Sequence, residues 1–266
     1  VVAVNAPPNE LLPEQQDREI LKDEPRARIE RIGTGQAAVV RKTYFNLGLR
    51  RLQTFLRRPR AAREFRNLQL VQAAGVPCTE PIAWQARWRL GFVLQSTLVT
   101  RYLPGTRQLK SVLQELPRRD RARALLVTRI GELLAALHRA GILWAAPMPR
   151  NLLLRGDPAR ADLLLCDLPA AVHFRRTIHG AAIALLDLFD AAGSPSRRRD
   201  FSAAERLRLL TAYGGGDRTA ARRLYRALDR RTRIGHRLRK NFVMALRTYI
   251  LPAAVPDRPG REPPRR

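Results

Sequence analysis

The sequence predicts an α+β fold built as two lobes. Three observations carry this prediction. Residues 18–103 place strand-like segments around a single helix, Pro104-Gly105 breaks the chain, and helical periodicity dominates residues 106–252, interrupted by one short hairpin of apolar runs. With 266 residues, 45% of them apolar, the chain can bury a sizeable core. The boundaries divide it into a loose leader over 1–17, a first lobe over 18–103, a mostly helical second lobe over 104–252 and a disordered basic tail over 253–266.

Residues 18–45 read as strands. Ile29–Ile32 and Ala37–Phe45 flank the turn signal Gly33-Thr34-Gly35. A helix starts at Pro59, because proline suits a first helical turn. Phe65, Leu68 and Val71 then recur at helical spacing, and Gly75 with Pro77 ends it. Strands over 81–103 include Gly91–Leu98 and Val99–Leu103. Past the break, Thr106 is expected to cap a helix that faces inward with Leu109, Val112, Leu113 and Leu116. A longer helix spans 121–140 and closes at Gly141. Leu152–Leu154 and Leu163–Cys166 form the hairpin. Ser202 and Glu205 make a capping box, and Asp217 caps a last helix.

The charge balance is extreme: 50 basic against 23 acidic residues leave +27. Only Lys22, Lys42, Lys110 and Lys240 are lysines; all the other basic residues are arginine. Such a field favours anionic partners, whether a membrane surface, a phosphorylated glycolipid or nucleic acid. Val1–Pro8 lacks the basic start and apolar run of a secretory signal, and no stretch reaches the roughly 18 apolar residues of a membrane span. Cys78 and Cys166 are too few and too far apart for a disulfide framework, and the four histidines lack metal-ligand spacing. No Walker or Gly-x-Ser-x-Gly motif occurs.

Four residues arrive in an order that carries chemistry. Lys42 sits in Val39-Val-Arg-Lys-Thr-Tyr44, on a predicted strand, and Glu64 comes next on the predicted helix. A compact ammonium suits a phosphate in a tight cleft. Asn151 lies beyond the long helix and its turn, and Asp167 lies sixteen residues later, after the second strand of the hairpin. This layout resembles the protein-kinase fold. There a lysine pairs with a helix glutamate, and a His-Arg-Asp-x-x-x-x-Asn loop supplies the base and a magnesium ligand. A later Asp-Phe-Gly turn supplies the second magnesium ligand. The resemblance implies ATP and magnesium as cofactors, with Lys42 and Glu64 on the nucleotide and Asn151 and Asp167 on the metal. Counting back five residues from Asn151 puts Ala146 where the catalytic aspartate belongs, and Trp144 stands at the histidine position. Leu168-Pro169 replaces Phe-Gly, and proline restricts that turn. The turn that covers phosphates in kinases would be Lys22–Ala27, which has no glycine. Lys22 or Arg26 could supply charge there instead.

Within that superfamily the chain resembles bacterial lipopolysaccharide core (heptose/Kdo) kinases. The similarity rests on residues 39–82, with their arginine-rich insert, Arg63-Glu-Phe-Arg66 and Gly75-Val-Pro77, on 137–154, on 163–176 and on 205–213. It implies a cytoplasmic protein, peripheral at the inner membrane, that acts on the anionic lipopolysaccharide core. Where this family carries the aspartate that braces its catalytic loop, Gly180–Leu185 has none and Asp187 comes late, so the brace is expected to be lost. The sequence thus supports three readings: a nucleotide-binding relative with impaired or no transfer, an active core kinase with a displaced base, and a basic module for nucleic acid or acidic membrane.

Overall fold

The computed structural model describes residues 17–48, 52, 54, 55, 58–193, 200–230, 235, 237, 238 and 241. The expected leader, except Asp17, and the expected tail lie outside the described residues.

The first lobe is a five-stranded antiparallel sheet with one helix against it. β1 (Arg18–Glu24), β2 (Ala27–Ile32), β3 (Val39–Phe45), β4 (Pro81–Arg89) and β5 (Phe92–Arg101) lie in the order β1-β2-β3-β5-β4. Helix α1 (Arg60–Ala73) buries Ala61, Glu64, Phe65, Leu68 and Val71 against β4 and β5. The Gly33–Gly35 turn joins β2 to β3, as its glycines predict. The expected strands Gly91–Leu98 and Val99–Leu103 are one strand, β5, and its partner is β4. The hairpin between them turns at Leu90-Gly91, both at positive φ (49° and 77°), which the right-handed twist of a tight hairpin requires.

In the second lobe, β6 (Thr106–Gln108), β8 (Leu152–Arg155) and β9 (Asp162–Leu165) form a small sheet, and β7 (Ile142–Leu143) pairs with β10 (Val172–His173). Around them lie α2 (Leu109–Glu115), α3 (Arg121–Arg139), α4 (Leu185–Leu188), α5 (Ala203–Tyr213) and α6 (Arg218–Asp229). Thr106 does not cap α2. It lies in β6 and its hydroxyl donates to Leu103 O, while Gln108 holds the N-cap position. A strand hydrogen bond to β8 outcompetes the local cap there. Both halves of the Ser202/Glu205 capping box are formed, and Asp217 caps α6.

The lobes share one apolar core that runs from Phe65 and Leu68 to Leu134, Leu165 and Phe201. Backbone bonds stitch them as well. Leu165 N donates to Pro77 O (3.0 Å) and Thr79 N donates to Leu165 O (2.8 Å). At the centre of the second lobe, Gly131 of α3 meets the backbone of α5. A β-carbon there would lie 2.2 Å from Leu209 O. Beside it, buried Arg123 donates to Glu205 and to the carbonyls of Leu113 and Asp200. Burial pushes the Glu205 carboxyl up, but the Arg123 and Ser202 bonds outweigh it and hold it below the usual carboxylate range.

Two outcomes are expected. Gly131→Ala raises helix propensity yet destabilises the fold by about 1–3 kcal/mol, because the helices must part; urea unfolding measures this, and a stabilised variant would refute the contact. A depressed carboxyl contributes stability above its ordinary value and loses it as pH falls through its folded value. Glu205→Gln therefore lowers Tm at pH 7, and its deficit against the natural chain shrinks as the pH drops below about 4.

Candidate nucleotide cleft

Lys42 is placed by the register of β3, opposite Ile29 of β2 and Leu98 of β5. Its Nζ lies 3.1 Å from Glu64 Oε1 and 2.6 Å from Asp167 Oδ1. Tyr44, two residues on and so on the same strand face, donates its hydroxyl to Glu64 Oε2. Glu64 is fully buried, while the Asp167 side chain keeps 29% of its surface exposed. Burial alone would lower the Lys42 ammonium, but Glu64, Tyr44 and Asp167 outweigh it and hold it well above its ordinary value. The lysine is therefore a permanent cation. Burial pushes Glu64 up, against the pull of Lys42. The neighbouring Cys166 thiol is pushed up to about 12, first by burial, so it is no nucleophile at neutral pH.

Asp167 comes directly after β9 and Cys166, and the segment beyond it is pinned from the other lobe. Asn67 of α1 donates its amide to Leu168 O (2.7 Å) and to Ala171 O (3.1 Å). Leu168 is fully buried in the shared core, where an apolar side chain is required. Trp144 donates its indole Nε1–H to Asp167 O (3.2 Å). The side chain at the histidine position thus still ties the loop to the metal-ligand candidate.

The brace expected to be lost is present. Asp187 of α4 is fully buried. Its Oδ2 accepts from Trp144 N (2.6 Å) and its Oδ1 from Ala145 N (2.7 Å). His138 Nε2 lies 3.1 Å from the same Oδ2, and His138 Nδ1 lies 3.0 Å from the Tyr213 hydroxyl. Burial, first among the causes, pushes Tyr213 up to about 12. A carboxylate only accepts, so Nε2 carries the proton toward Asp187, and the Tyr213 hydroxyl, which accepts from Gly180 N, donates to Nδ1. Ala145 has φ of +67°, a conformation that costs a non-glycine residue about 1–3 kcal/mol. The buried Asp187 carboxylate, bonded to the Trp144 and Ala145 amides, offsets that cost. Asn151 Nδ2 then donates to Ala146 O (3.1 Å), which leaves Oδ1 available for a cation.

The structure therefore brings Lys42, Glu64, Asp167, Asn151 and Ala146 into one bonded neighbourhood. Lys22 lies on the same sheet face, two strands from Lys42 in the row Lys22–Ile29–Lys42, or roughly 10 Å across. It pairs with Glu24 at 2.9 Å. Arg26 occupies the exposed β1–β2 turn, and its carbonyl accepts from Phe45 N. Among the described residues neither bonds to the central group. Three contributors escaped the sequence reading: Tyr44, Asn67 and His138. Tyr44 and Asn67 stand at i+2 on the lysine strand and i+3 on the glutamate helix, so face periodicity could have found them. Asn151 Oδ1 and the Asp167 carboxylate are hard oxygen donors of the kind magnesium takes alongside phosphate oxygens and water. Among the described residues no cluster of three His, Cys, Asp or Glu forms a self-sufficient metal site.

The family model for "Lipopolysaccharide kinase (Kdo/WaaP) family" matches residues 22–213. The chain belongs to the lipopolysaccharide kinase (Kdo/WaaP) family. A search of curated proteins returned no match. Among solved structures, "WaaP in complex with acyl carrier protein" is similar at a TM-score of 0.55 and 19% identity, over 91% of this chain and 94% of that one. At this identity the likeness establishes the kinase-like fold.

Asp187→Asn replaces one acceptor oxygen with a donor and leaves a loop N–H unpaired, a loss of about 1–3 kcal/mol. Tm should fall accordingly, and hydrogen exchange at Trp144 and Ala145 should accelerate. Unchanged protection at those two amides would rule out the brace.

Proposed function

We propose that this lipopolysaccharide kinase family member binds ATP with magnesium between its lobes and has lost most of its capacity for phosphoryl transfer. The observation that supports this reading is the intact scaffold around Ala146. The brace, the Asn151 bond and the Lys42–Glu64–Asp167 bridge all stand, while the side chain they serve ends at a methyl group. Lys42 would take a phosphate and release Asp167, which with Asn151 would hold the magnesium ion; that ion would neutralise charge on the transferred group. Lys22 and Arg26, in and beside the glycine-free turn, would add charge above the phosphates.

A missing general base lowers the rate by about 10²–10⁴, equivalent to about 3–5 kcal/mol of barrier. Asp187 cannot stand in for it, because both its oxygens are engaged behind the loop and the residue is fully buried. The net charge of +27 suits the anionic core glycolipid of the family, on the cytoplasmic side of a membrane. Because WaaP was solved in complex with acyl carrier protein, such a carrier is a partner to test for this chain as well.

ATP with magnesium at about 100 times Kd should stabilise the chain by about 2.7 kcal/mol, and Lys42→Met or Asp167→Ala should remove the effect. Transfer of the γ-phosphate to core lipopolysaccharide should be near background and should rise at least 100-fold in Ala146→Asp. Absence of ATP stabilisation would defeat the nucleotide reading. Full transfer by the natural chain would defeat the impairment.

A further inference from the structure

We propose that the tip of the first lobe, where the end of β3, the β4–β5 hairpin and residues 52, 54 and 55 converge, docks onto an anionic lipid bilayer. Of the eight exposed large hydrophobic residues among the described residues, five gather here: Leu47, Leu52, Phe55, Trp88 and Leu90. Leu90, at the hairpin turn, is 83% exposed. The cluster is built, not frayed. The Phe55 ring packs over Gly91 and lies 5.0 Å from the Phe92 ring. Val93 N donates to Thr54 Oγ1 (3.0 Å), and Asn46 Nδ2 donates to Val93 O (3.0 Å). These bonds hold residues 46 and 54–55 against the start of β5.

Charge selects the occupant. Arg87 and Arg89, which flank Trp88 on β4, are exposed and form no ion pair among the described residues. The sequence has no acidic residue between Glu30 and Glu64, nor between Glu80 and Glu115, so no carboxylate from these segments opposes them. Apolar and indole side chains flanked by arginine match the boundary between acyl chains and anionic headgroups. A nucleic acid would use the arginines but leave Leu52 and Leu90 without purpose.

The location fits an acceptor carried by lipid. Phe45 N donates to Arg26 O, so the β1–β2 turn, which would cover the phosphates in the reading above, lies at the same end of the sheet as the tip. Leu47 is five residues beyond Lys42, about 16 Å along an extended chain. A bilayer against the tip would therefore face the end of the cleft from which phosphate leaves. This extends the reading above by naming the side that meets the lipid.

Flotation of the full chain with phosphatidylglycerol/phosphatidylethanolamine vesicles, against phosphatidylcholine vesicles, tests it without nucleotide. Binding to the anionic vesicles is expected, reduced at least tenfold in Leu52→Ser/Leu90→Ser, with ATP stabilisation unchanged. Brominated lipid should quench part of the tryptophan emission, and Trp88→Phe should abolish that part. This second arm decides the matter even if the double variant folds poorly. Three results would overturn the proposal: no flotation, flotation indifferent to the double substitution with no Trp88 quenching, or a concentration-dependent dimer that the double variant disperses. Because the assay needs no ATP, its failure leaves the nucleotide reading standing, and the failure of ATP binding leaves this one.

Discussion

The Lys42 ammonium stands between two carboxylates drawn from distant parts of the chain, and the relation of the two lobes depends on that bridge. Glu64 is fully buried, so its charge is tolerated only while Lys42 and the Tyr44 hydroxyl remain against it. Asp167 completes the bridge from the second lobe, on a segment that Asn67 fastens to the same helix that carries Glu64. The helix, the lysine strand and the segment at Asp167 are therefore tied together by side-chain bonds. A phosphate entering beside Lys42 would compete with Asp167 for the ammonium and free that carboxylate for a cation. The same contact that closes the cleft is thus the one a nucleotide would rearrange.

The loop that ends at Asn151 keeps a braced geometry around Ala146. The positive φ of Ala145, the carboxylate that holds it and the Asn151–Ala146 bond together fix the backbone on either side of Ala146. Such strain persists where the surrounding structure over-determines it. His138 and Tyr213 extend the network into the second-lobe core, so its removal would cost stability whether or not the loop still catalyses. The brace is thus also part of the core, which holds the loop in shape whatever side chain stands at position 146. Trp144 shows the same economy, with its ring buried and its one donor on Asp167 O.

Much of the fold was legible because hydrophobic period and capping chemistry are local. The α1 stripe of Phe65, Leu68 and Val71, the Ser202/Glu205 box and the Asp217 cap arise from neighbours within one turn. The length of β5 was not, because a long apolar strand reads like two short ones, so a break was expected between Leu98 and Val99 where the strand runs on. In the cleft, Lys42, Glu64, Asn151 and Asp167 could be picked out by order and spacing. Asp187 could not, because spacing counts assume a connecting segment of fixed length, whereas the buried carboxylate needs only to reach two amides. Its signal lay elsewhere, as a lone acid inside the most apolar run of the second lobe. A charge there demands partners, and the structure supplies three donors.

The excess of arginine reads differently once it is placed on the fold. Where arginines meet acids they hold the structure together, as Arg123 does with Glu205 and Arg41 with Glu30. Along α6, Arg218, Arg222, Arg223 and Arg226 are exposed and form no ion pair among the described residues, yet the helix keeps its apolar side on α5 and offers solvent charge alone. That face raises attraction to any anion without choosing among them. At the first-lobe tip the unpaired arginines instead lie beside exposed leucine and aromatic side chains, and only an anionic surface with an apolar interior satisfies both. Under the docking proposed above, net charge would bring such a surface near, the apolar tip would select it, and the sheet that joins the tip to Lys42 would set which end of the cleft faces it.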